Sequence, residues 1–168
     1  MTVDRWALER QPGVLGIPVH GPAIVARSTG IAMAVRCIFA RPGGLEIELA
    51  LHAVGVQAEA AGRHSFGEHV PRTRPTGETV DAWHGGSEPV LVVEVDGRRA
   101  TAYPFEQTSG GGEEQFDSEL RVAIPELPAD GLITLTVSWP QAGLAEGSVT
   151  LTLGSLHDLE NRVVWLLP

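Results

Sequence analysis

A chain of 168 residues with 43% hydrophobic and 20% charged residues has the composition of a folded globular domain. Its formal net charge of −9 disfavours attraction to phosphate backbones and to anionic lipids, so neither nucleic acid nor a membrane is an expected partner. All 12 basic residues are arginine. This excludes chemistry that depends on a lysine, such as Schiff-base formation or a P-loop.

Two features bear on the compartment of the protein. The sequence has no secretion signal near its start and no apolar run long enough to span a bilayer, so the expected location is the cytoplasm. The single cysteine, Cys37, cannot form an internal disulfide. Strand alternation gives Cys37 the same face as Met33, Val35 and Phe39, and we therefore predict that its thiol is buried in the core.

The first third of the chain predicts an irregular arm followed by a run of strands. Prolines and glycines interrupt residues 1–22 and break both helix and strand pairing, so an irregular N-terminal arm is expected there. Apolar and alternating segments then predict three strands, 23–27, 31–40 and 45–54. The turn residues 41–44 join the last two strands as a hairpin.

Residues 56–88 lose all hydrophobic periodicity and are rich in glycine, proline and charge. We predict a long loop over this range. Loops of this length in a compact domain are commonly functional, so a recognition surface is most expected here.

The second half of the chain predicts more short strands and one helix. Asp96-Gly97 is typical of a type I′ hairpin turn, and Ser155, with Asp158 in the capping-box position, predicts a helix over 155–162. Trp139 and Trp165 fall on apolar strand faces and are expected in the core. The predicted strands are 90–95, 98–103, 119–124, 133–139 and 149–153, with a second irregular stretch over 107–117 and an apolar terminal segment over 163–167.

The many short alternating segments predict an all-β fold. Eight or nine antiparallel strands with irregular connections favour a two-sheet β-sandwich of immunoglobulin-like or jelly-roll type over a closed barrel. Residues 1–168 are expected to form one domain with one short C-terminal helix.

Glu46 and Glu48 lie on one side of the strand 45–54, roughly 7 Å apart by strand rise, and His52 follows on that face. Paired carboxylates can serve in glycoside hydrolysis. Because leucines and isoleucine alternate with them, a solvated outer face explains both acids, and we assign them no catalytic role.

A metal site is the alternative hypothesis for the predicted loop 56–88. Imidazole and carboxylate groups are the usual ligands of zinc and its neighbours. Four residues of the loop could supply them, namely His64, Glu68, His69 and His84. Their spacing matches no metal-binding signature, so solvated histidines are the favoured interpretation and no cofactor is predicted.

The same loop carries the candidate recognition residues Arg63, His64, Trp83 and His84. Trp83 is a tryptophan in a polar segment, where an aromatic side chain can stack on a ligand or anchor a protein partner. We predict that these four residues contribute to a binding surface.

Several segments resemble uncharacterised β-rich proteins that are common in actinobacteria. They are Asp96-Gly97-Arg98-Arg99, residues 29–51, residues 133–140, residues 143–146 and residues 156–168 with the ending Val164-Trp165-Leu166-Leu167-Pro168. The resemblance implies a cytoplasmic β-rich protein from a bacterium of high GC content. It implies no activity, and it does not extend to the segment 56–88.

Three functional hypotheses follow from the sequence. The leading one is a non-enzymatic interaction or ligand-binding domain whose loops 56–88 and 107–117 recognise a protein or a small molecule. The second is a metal-dependent hydrolase that uses the four candidate ligands. The third is a structural protein that self-associates through exposed strand edges. No catalytic residue is predicted.

Overall fold

A computed structural model of the protein describes residues 5–6, 13–66, 68–73, 79–84 and 87–168. For residues 5–6, 66, 68–73 and 79–84 the description covers the backbone. In chain order the elements are β1 (Arg5–Trp6), β2 (Val14–Leu15), β3 (Ile17–His20), β4 (Ala23–Ser28), β5 (Ile31–Arg41), β6 (Gly44–Val54), α1 (Val56–Phe66), β7 (Glu68–Thr73), β8 (Thr79–His84), β9 (Val90–Val95), β10 (Arg98–Ala102), β11 (Pro104–Gly111), β12 (Gln115–Ile124), β13 (Leu132–Trp139), β14 (Leu144–Thr152), α2 (Leu159–Arg162) and β15 (Val164–Trp165).

Two largely antiparallel sheets form a β-sandwich, as the sequence predicts. One is six-stranded in the order β11-β12-β6-β5-β3, with β4 also paired to β5, and the other is five-stranded in the order β1-β10-β9-β13-β14. The described chain also forms two two-stranded sheets, β15-β2 and β7-β8. At one edge Gly147 of β14 approaches β4 so closely that an added Cβ would lie 2.7 Å from the Cβ of Ala26, so only glycine fits there.

The core lies between the two main sheets, where period-2 alternation directs apolar side chains inward. Ile47, Leu49 and Leu51 of β6 belong to the same buried cluster as Val93 of β9 and Leu135 of β13.

The sandwich core extends to one end of the molecule, where Trp139 is 1% exposed. Its ring lies 6.3 Å from that of Phe116, and its Nε1 donates a hydrogen bond of 2.9 Å to Ser87 Oγ. The predicted core position of this tryptophan is confirmed.

The hairpin between β9 and β10 confirms the turn that Asp96-Gly97 predicts. Both residues have positive φ angles, 50° and 76°, as a type I′ turn requires. Val95 and Arg98 are the register partners that flank the turn.

A β-bulge in β5 overturns the prediction for Cys37. The register with β6 shifts between Val35 and Cys37, and the inserted residue turns Ile38 inward and Cys37 outward. Ile38 is fully buried, whereas the thiol of Cys37 is only half-buried. Burial nevertheless raises the pKa of this thiol, and the negative charge of Glu48 raises it further.

The predicted loop 56–88 is largely regular structure in the described residues. Helix α1 occupies Val56–Phe66, and β7 and β8 form an antiparallel pair. The helix buries the small side chains of Ala58 and Ala61. Large apolar residues do not recur along it at helical spacing. That composition explains why hydrophobic periodicity does not reveal it.

Three other segments differ from their predictions. The predicted arm 1–22 contains β1, β2 and β3, and most of the predicted irregular stretch 107–117 belongs to β11 and β12. Helix α2 covers only Leu159–Arg162, and Asp158 precedes it in a left-handed conformation with φ of 54°. Ser155 Oγ accepts a hydrogen bond from the His157 amide in a turn before the helix, so the expected capping box does not form.

Candidate functional site

The outer face of the six-stranded sheet carries a network of ion pairs centred on Arg121 of β12. Its Nη2 lies 2.9 Å from Glu46 Oε1 and 3.2 Å from Glu48 Oε1, and its Nη1 donates to Glu106 Oε2 over 2.9 Å. The pKa of Arg121 is raised, chiefly by the hydrogen bond to Glu106 and also by the charges of Glu46 and Glu48, against the opposing effect of burial. The guanidinium also lies 6.0 Å from the centre of the Phe105 ring. We call this group, together with Arg36, Arg41 and Glu119, the charged face.

Glu46 overturns the prediction that the acids of β6 are solvated. Its side chain is only 7% exposed and contacts both Arg41 and Arg121. Arg41 reaches it because the tight β5–β6 hairpin pairs Arg41 with Gly44, close to Glu46 along the strand. A buried carboxylate is tolerated when guanidinium groups compensate its charge, so Glu46 is a structural acid.

A shallow cleft of about 260 Å³ opens on the charged face. Its polar lining consists of Arg36, Glu48, Glu106, Thr108, Glu119 and Arg121. Arg36 donates to Glu119 over 2.6 Å, and Arg121 holds the other two acids. Each charged group of the cleft therefore has a partner of opposite charge within the chain, with three carboxylates sharing two guanidinium groups.

His52 and Asp117 form a separate pair on neighbouring strands of this sheet. The distance from His52 Nδ1 to Asp117 Oδ1 is 2.6 Å, and both side chains are about half exposed. The pKa of Asp117 is lowered, first by the hydrogen bond with His52 and then by that from Gln115 Nε2. The pair resembles the base and orienting acid of a catalytic triad only in part, because no nucleophile accompanies it among the described contacts.

An apolar surface lies on the small sheet β2–β15. Its members are large apolar residues whose exposed fractions range from 51% at Leu15 to 78% at Leu167. We call this group the apolar strip, and it consists of Leu15, Val164, Trp165, Leu166 and Leu167. The expectation that Trp165 is a core residue is wrong, because β15 pairs with β2 outside the two main sheets.

Buried neighbours hold the apolar strip in place. Val163 and Val14 are 7% and 4% exposed, and the Val163 amide donates to the Leu159 carbonyl over 2.9 Å at the end of α2. The Leu166 amide donates to the Gly13 carbonyl over 2.9 Å. The strip is therefore fixed to the body of the protein, although its own side chains face outward.

Arg63 and His64, two of the predicted recognition residues, lie in the last turn of α1. Arg63 is exposed and lies 4.0 Å from Glu59, one helical turn before it, and His64 is half-buried.

The other candidates lie on the β7–β8 pair, where the register aligns Glu68 with His84 and His69 with Trp83. These two pairs occupy successive positions of the ladder, which belong to alternate faces. The ligand-binding and metal-binding roles of all these residues stay predictions.

In the described part of the chain, the side chains contain no group of three or more histidine, cysteine, aspartate or glutamate residues placed to share a metal ion. None of its helices has the length and hydrophobicity needed to cross a membrane.

Comparison with known proteins adds little to this geometry. No protein-family model matches the chain, and no curated protein matches it. Among solved structures, a crystal structure of bovine butyrophilin aligns with 82% of this chain at 14% identity and a TM-score of 0.34. The chain spans 44% of that butyrophilin chain. The assignment of a β-sandwich therefore rests on the two sheets described above.

Proposed function

We propose that this protein is a non-enzymatic protein-interaction domain whose contact surface is the apolar strip. The observation that carries the proposal is the exposure of five large apolar residues on and directly after the small sheet β2–β15, where backbone hydrogen bonds attach the segment to the body of the protein. Soluble proteins seldom expose so many large apolar side chains in one short segment unless a partner covers them.

The size of the apolar strip fits this function. From the exposed fractions and the area of large apolar side chains, its accessible apolar area is on the order of 500 Å². That value is comparable with the largest apolar patches of monomeric proteins. It is divided between the two faces of the small sheet, because Val164 and Trp165 are consecutive in β15. The tryptophan adds the residue type most often found at the energetic centre of interfaces.

The charged face supports this function less well. Its acids and guanidinium groups already bind one another, so an ionic ligand would have to break those pairs before forming its own. The cost of such an exchange cancels much of the electrostatic gain. We therefore assign the charged face a structural role.

The predicted surface on the segment 56–88 is the second candidate for partner contact. Arg63, at the end of α1, is exposed, and the β7–β8 pair aligns Trp83 with His69. A hydrolase with metal ligands in this segment is the remaining alternative. Native mass spectrometry of protein purified without chelators tests it, and a stoichiometric metal that is lost on His69→Ala would favour the hydrolase.

Site-specific photo-crosslinking in the source cells tests the apolar strip directly. A photoreactive amino acid replaces Leu167 in one variant and Leu132, an exposed leucine on β13, in the control variant. We expect a defined covalent adduct from position 167 and a much weaker one from position 132. Equal or absent adducts at the two positions would contradict the proposal.

A further inference from the structure

We infer that the partner of the apolar strip inserts a basic side chain into an acidic pocket beside the strip. The inference rests on the proposed function, because it describes the chemistry of the partner of that surface. Its support comes from the lining of the pocket, from the two carboxylates at its rim and from the position of the pocket next to the strip.

The acidic pocket has an apolar floor and a charged rim. Leu159 is buried, Leu127 and Leu156 are half-buried against the core, and Asp158 and Glu160 are exposed. The volume is about 290 Å³, at the lower end of the range of roughly 300–1,000 Å³ for pockets that hold a drug-sized ligand. One side chain of a partner therefore fits it better than a whole small molecule does. The residues that line the pocket are Pro42, Leu127, Leu156, Asp158, Leu159 and Glu160.

The two rim carboxylates are not in ion pairs within the part of the chain that the structure describes. The ion pairs found there all involve other acids. Arg162 of the same short helix donates instead to the Ser155 and His157 carbonyl oxygens, over 2.7 and 2.8 Å. Asp158 Oδ1 accepts a hydrogen bond from the neutral Asn161 side chain. Two negative charges therefore stand at the pocket without a cation between them.

An apolar floor below two carboxylates matches the two parts of a basic side chain. The methylene groups of arginine or lysine pack on apolar surface while the charged end stays at the rim. There the guanidinium or ammonium group forms charge-assisted hydrogen bonds with carboxylate oxygens. No existing ion pair has to break first, in contrast to the charged face. The formal net charge of −9 attracts a basic partner at longer range as well.

The acidic pocket adjoins both segments that form the apolar strip. The Leu159 carbonyl at the pocket accepts a hydrogen bond from the Val163 amide, and the strip begins at the next residue. On the other side, Arg41 directly precedes the proline of the pocket. A Cβ added at Gly16, the residue after Leu15 of the strip, would lie 3.1 Å from Arg41 Cγ. One partner can therefore cover apolar side chains of the strip and place a basic side chain in the pocket.

Fluorescence anisotropy of labelled peptides with the purified full chain tests the inference. One short peptide is rich in leucine and arginine, and in the second peptide the neutral isostere citrulline replaces every arginine. We expect the arginine peptide to bind at least about fivefold more tightly, and its affinity to fall several-fold between about 0.05 M and 0.5 M salt. Equal affinity for the two peptides, or no binding of the arginine peptide, would overturn the inference.

Two matched double variants separate the pocket from the general acidity of the chain. Asp158→Asn with Glu160→Gln removes the two rim charges, and asparagine tolerates the left-handed backbone at position 158. Glu113→Gln with Glu114→Gln removes two exposed charges before β12, at the opposite end of the sandwich. We expect the first variant to bind the arginine peptide about as weakly as the citrulline peptide, and the second to bind it like the wild type. Equal losses in both variants would overturn the inference.

Nuclear magnetic resonance of side-chain methyl groups locates the contact. Titration with the arginine peptide should shift the methyl signals of Leu127 and Leu156, which line the pocket. The methyl signals of Val54, an exposed residue at the opposite end of the sandwich, should not shift. Shifts at Val54 without shifts at the two leucines would contradict binding in the pocket.

The proposed function and this inference fail in different ways. If position 167 crosslinks to a protein in cells and the yield is the same in the Asp158→Asn and Glu160→Gln double variant, the strip is an interaction surface but the pocket receives no basic side chain. If position 167 gives no adduct above the control while the purified chain prefers the arginine peptide, the pocket is a site for a basic side chain and the function proposed for the strip is wrong.

Discussion

The charged face and the apolar strip are both surface regions, but they differ in whether their groups already have partners. On the charged face, Glu46, Glu48 and Glu106 share the guanidinium of Arg121. On the strip, the side chains of Leu15 and of the four residues 164–167 are mainly exposed to solvent. Binding free energy is available where groups gain contacts on association, so the less polar region is the better binding surface here.

The two tryptophans Trp139 and Trp165 give the largest contrast between a structural position and an interaction position. Trp139→Ala leaves a large cavity in the core and removes the hydrogen bond to Ser87, so we expect a loss of about 3–5 kcal/mol in the free energy of unfolding. Trp165→Ala removes an exposed side chain and should change it by less than about 0.5 kcal/mol. Urea titrations of the two variants, at concentrations where the protein is monomeric, measure both values.

Destabilisation of the monomer by Trp165→Ala as strong as that by Trp139→Ala would contradict this contrast. Such a result would make the strip part of the core rather than an interaction surface. A probe of exposed apolar surface, such as the fluorescent dye ANS, supplies a second readout. Its binding to the folded protein should fall in Trp165→Ala and stay unchanged in Leu132→Ala.

Glu46 gives the next contrast, between a buried acid and an exposed acid of the same face. Glu46→Gln leaves the guanidinium groups of Arg41 and Arg121 close together without the buried negative charge, so we expect a loss of about 2 kcal/mol. Glu119→Gln breaks an exposed pair, since Arg36 and Glu119 are 53% and 64% exposed, and should cost less than about 0.5 kcal/mol. Equal costs in a urea titration would show that Glu46 has no special structural role.

The thiol of Cys37 reports on the charged face by its reactivity. Because burial and the charge of Glu48 raise its pKa, less thiolate is present in the folded protein than in the unfolded chain near pH 8. We expect iodoacetamide to react several-fold more slowly with native protein than with protein unfolded in urea. Glu48→Gln should increase the native rate, whereas Glu119→Gln, which changes an acid that does not shift this pKa, should leave it unchanged.

A native rate equal to the unfolded rate would contradict this account of Cys37. The direction of the pKa shift also gives a dependence of stability on pH. A raised pKa in the folded state favours the protonated thiol, so this contribution to stability is complete below the unfolded pKa of about 8.5 and is lost as pH rises through the folded pKa.

Sequence patterns predicted the architecture because alternation and turn chemistry are local. The Asp96-Gly97 hairpin and the apolar face of β13 depend on a few neighbouring residues. The bulge in β5 belongs to its pairing with a distant part of the pattern, since β5 pairs with β3, β4 and β6 and all three pairings have irregular register. A single inserted residue reverses the face to which each following side chain points. The prediction that Cys37 lies in the core is wrong for this reason.

The candidate site was harder to predict for the same physical reason. Trp165 and its neighbours form an apolar segment that reads like a core strand, and only its pairing with β2 reveals that it lies at an edge. Glu46 has the alternation of a solvated residue, and only the return of Arg41 across the hairpin explains its burial. A useful signal was present in Arg41, because an arginine at a tight hairpin can reach acids on the paired strand.

The smallest expected effect concerns the exposed pair His52–Asp117. Because the hydrogen bonds lower the pKa of Asp117, its contribution to stability is present above the unfolded pKa of about 3.9 and is lost as pH falls through the folded pKa. Both side chains are half exposed, so solvent screening limits this contribution to a few tenths of a kcal/mol. Asp117→Asn should therefore be slightly less stable than the wild type at pH 5, and the difference should shrink at pH 3. A constant difference at both pH values in urea titrations would show that the carboxylate charge of Asp117 plays no part in stability.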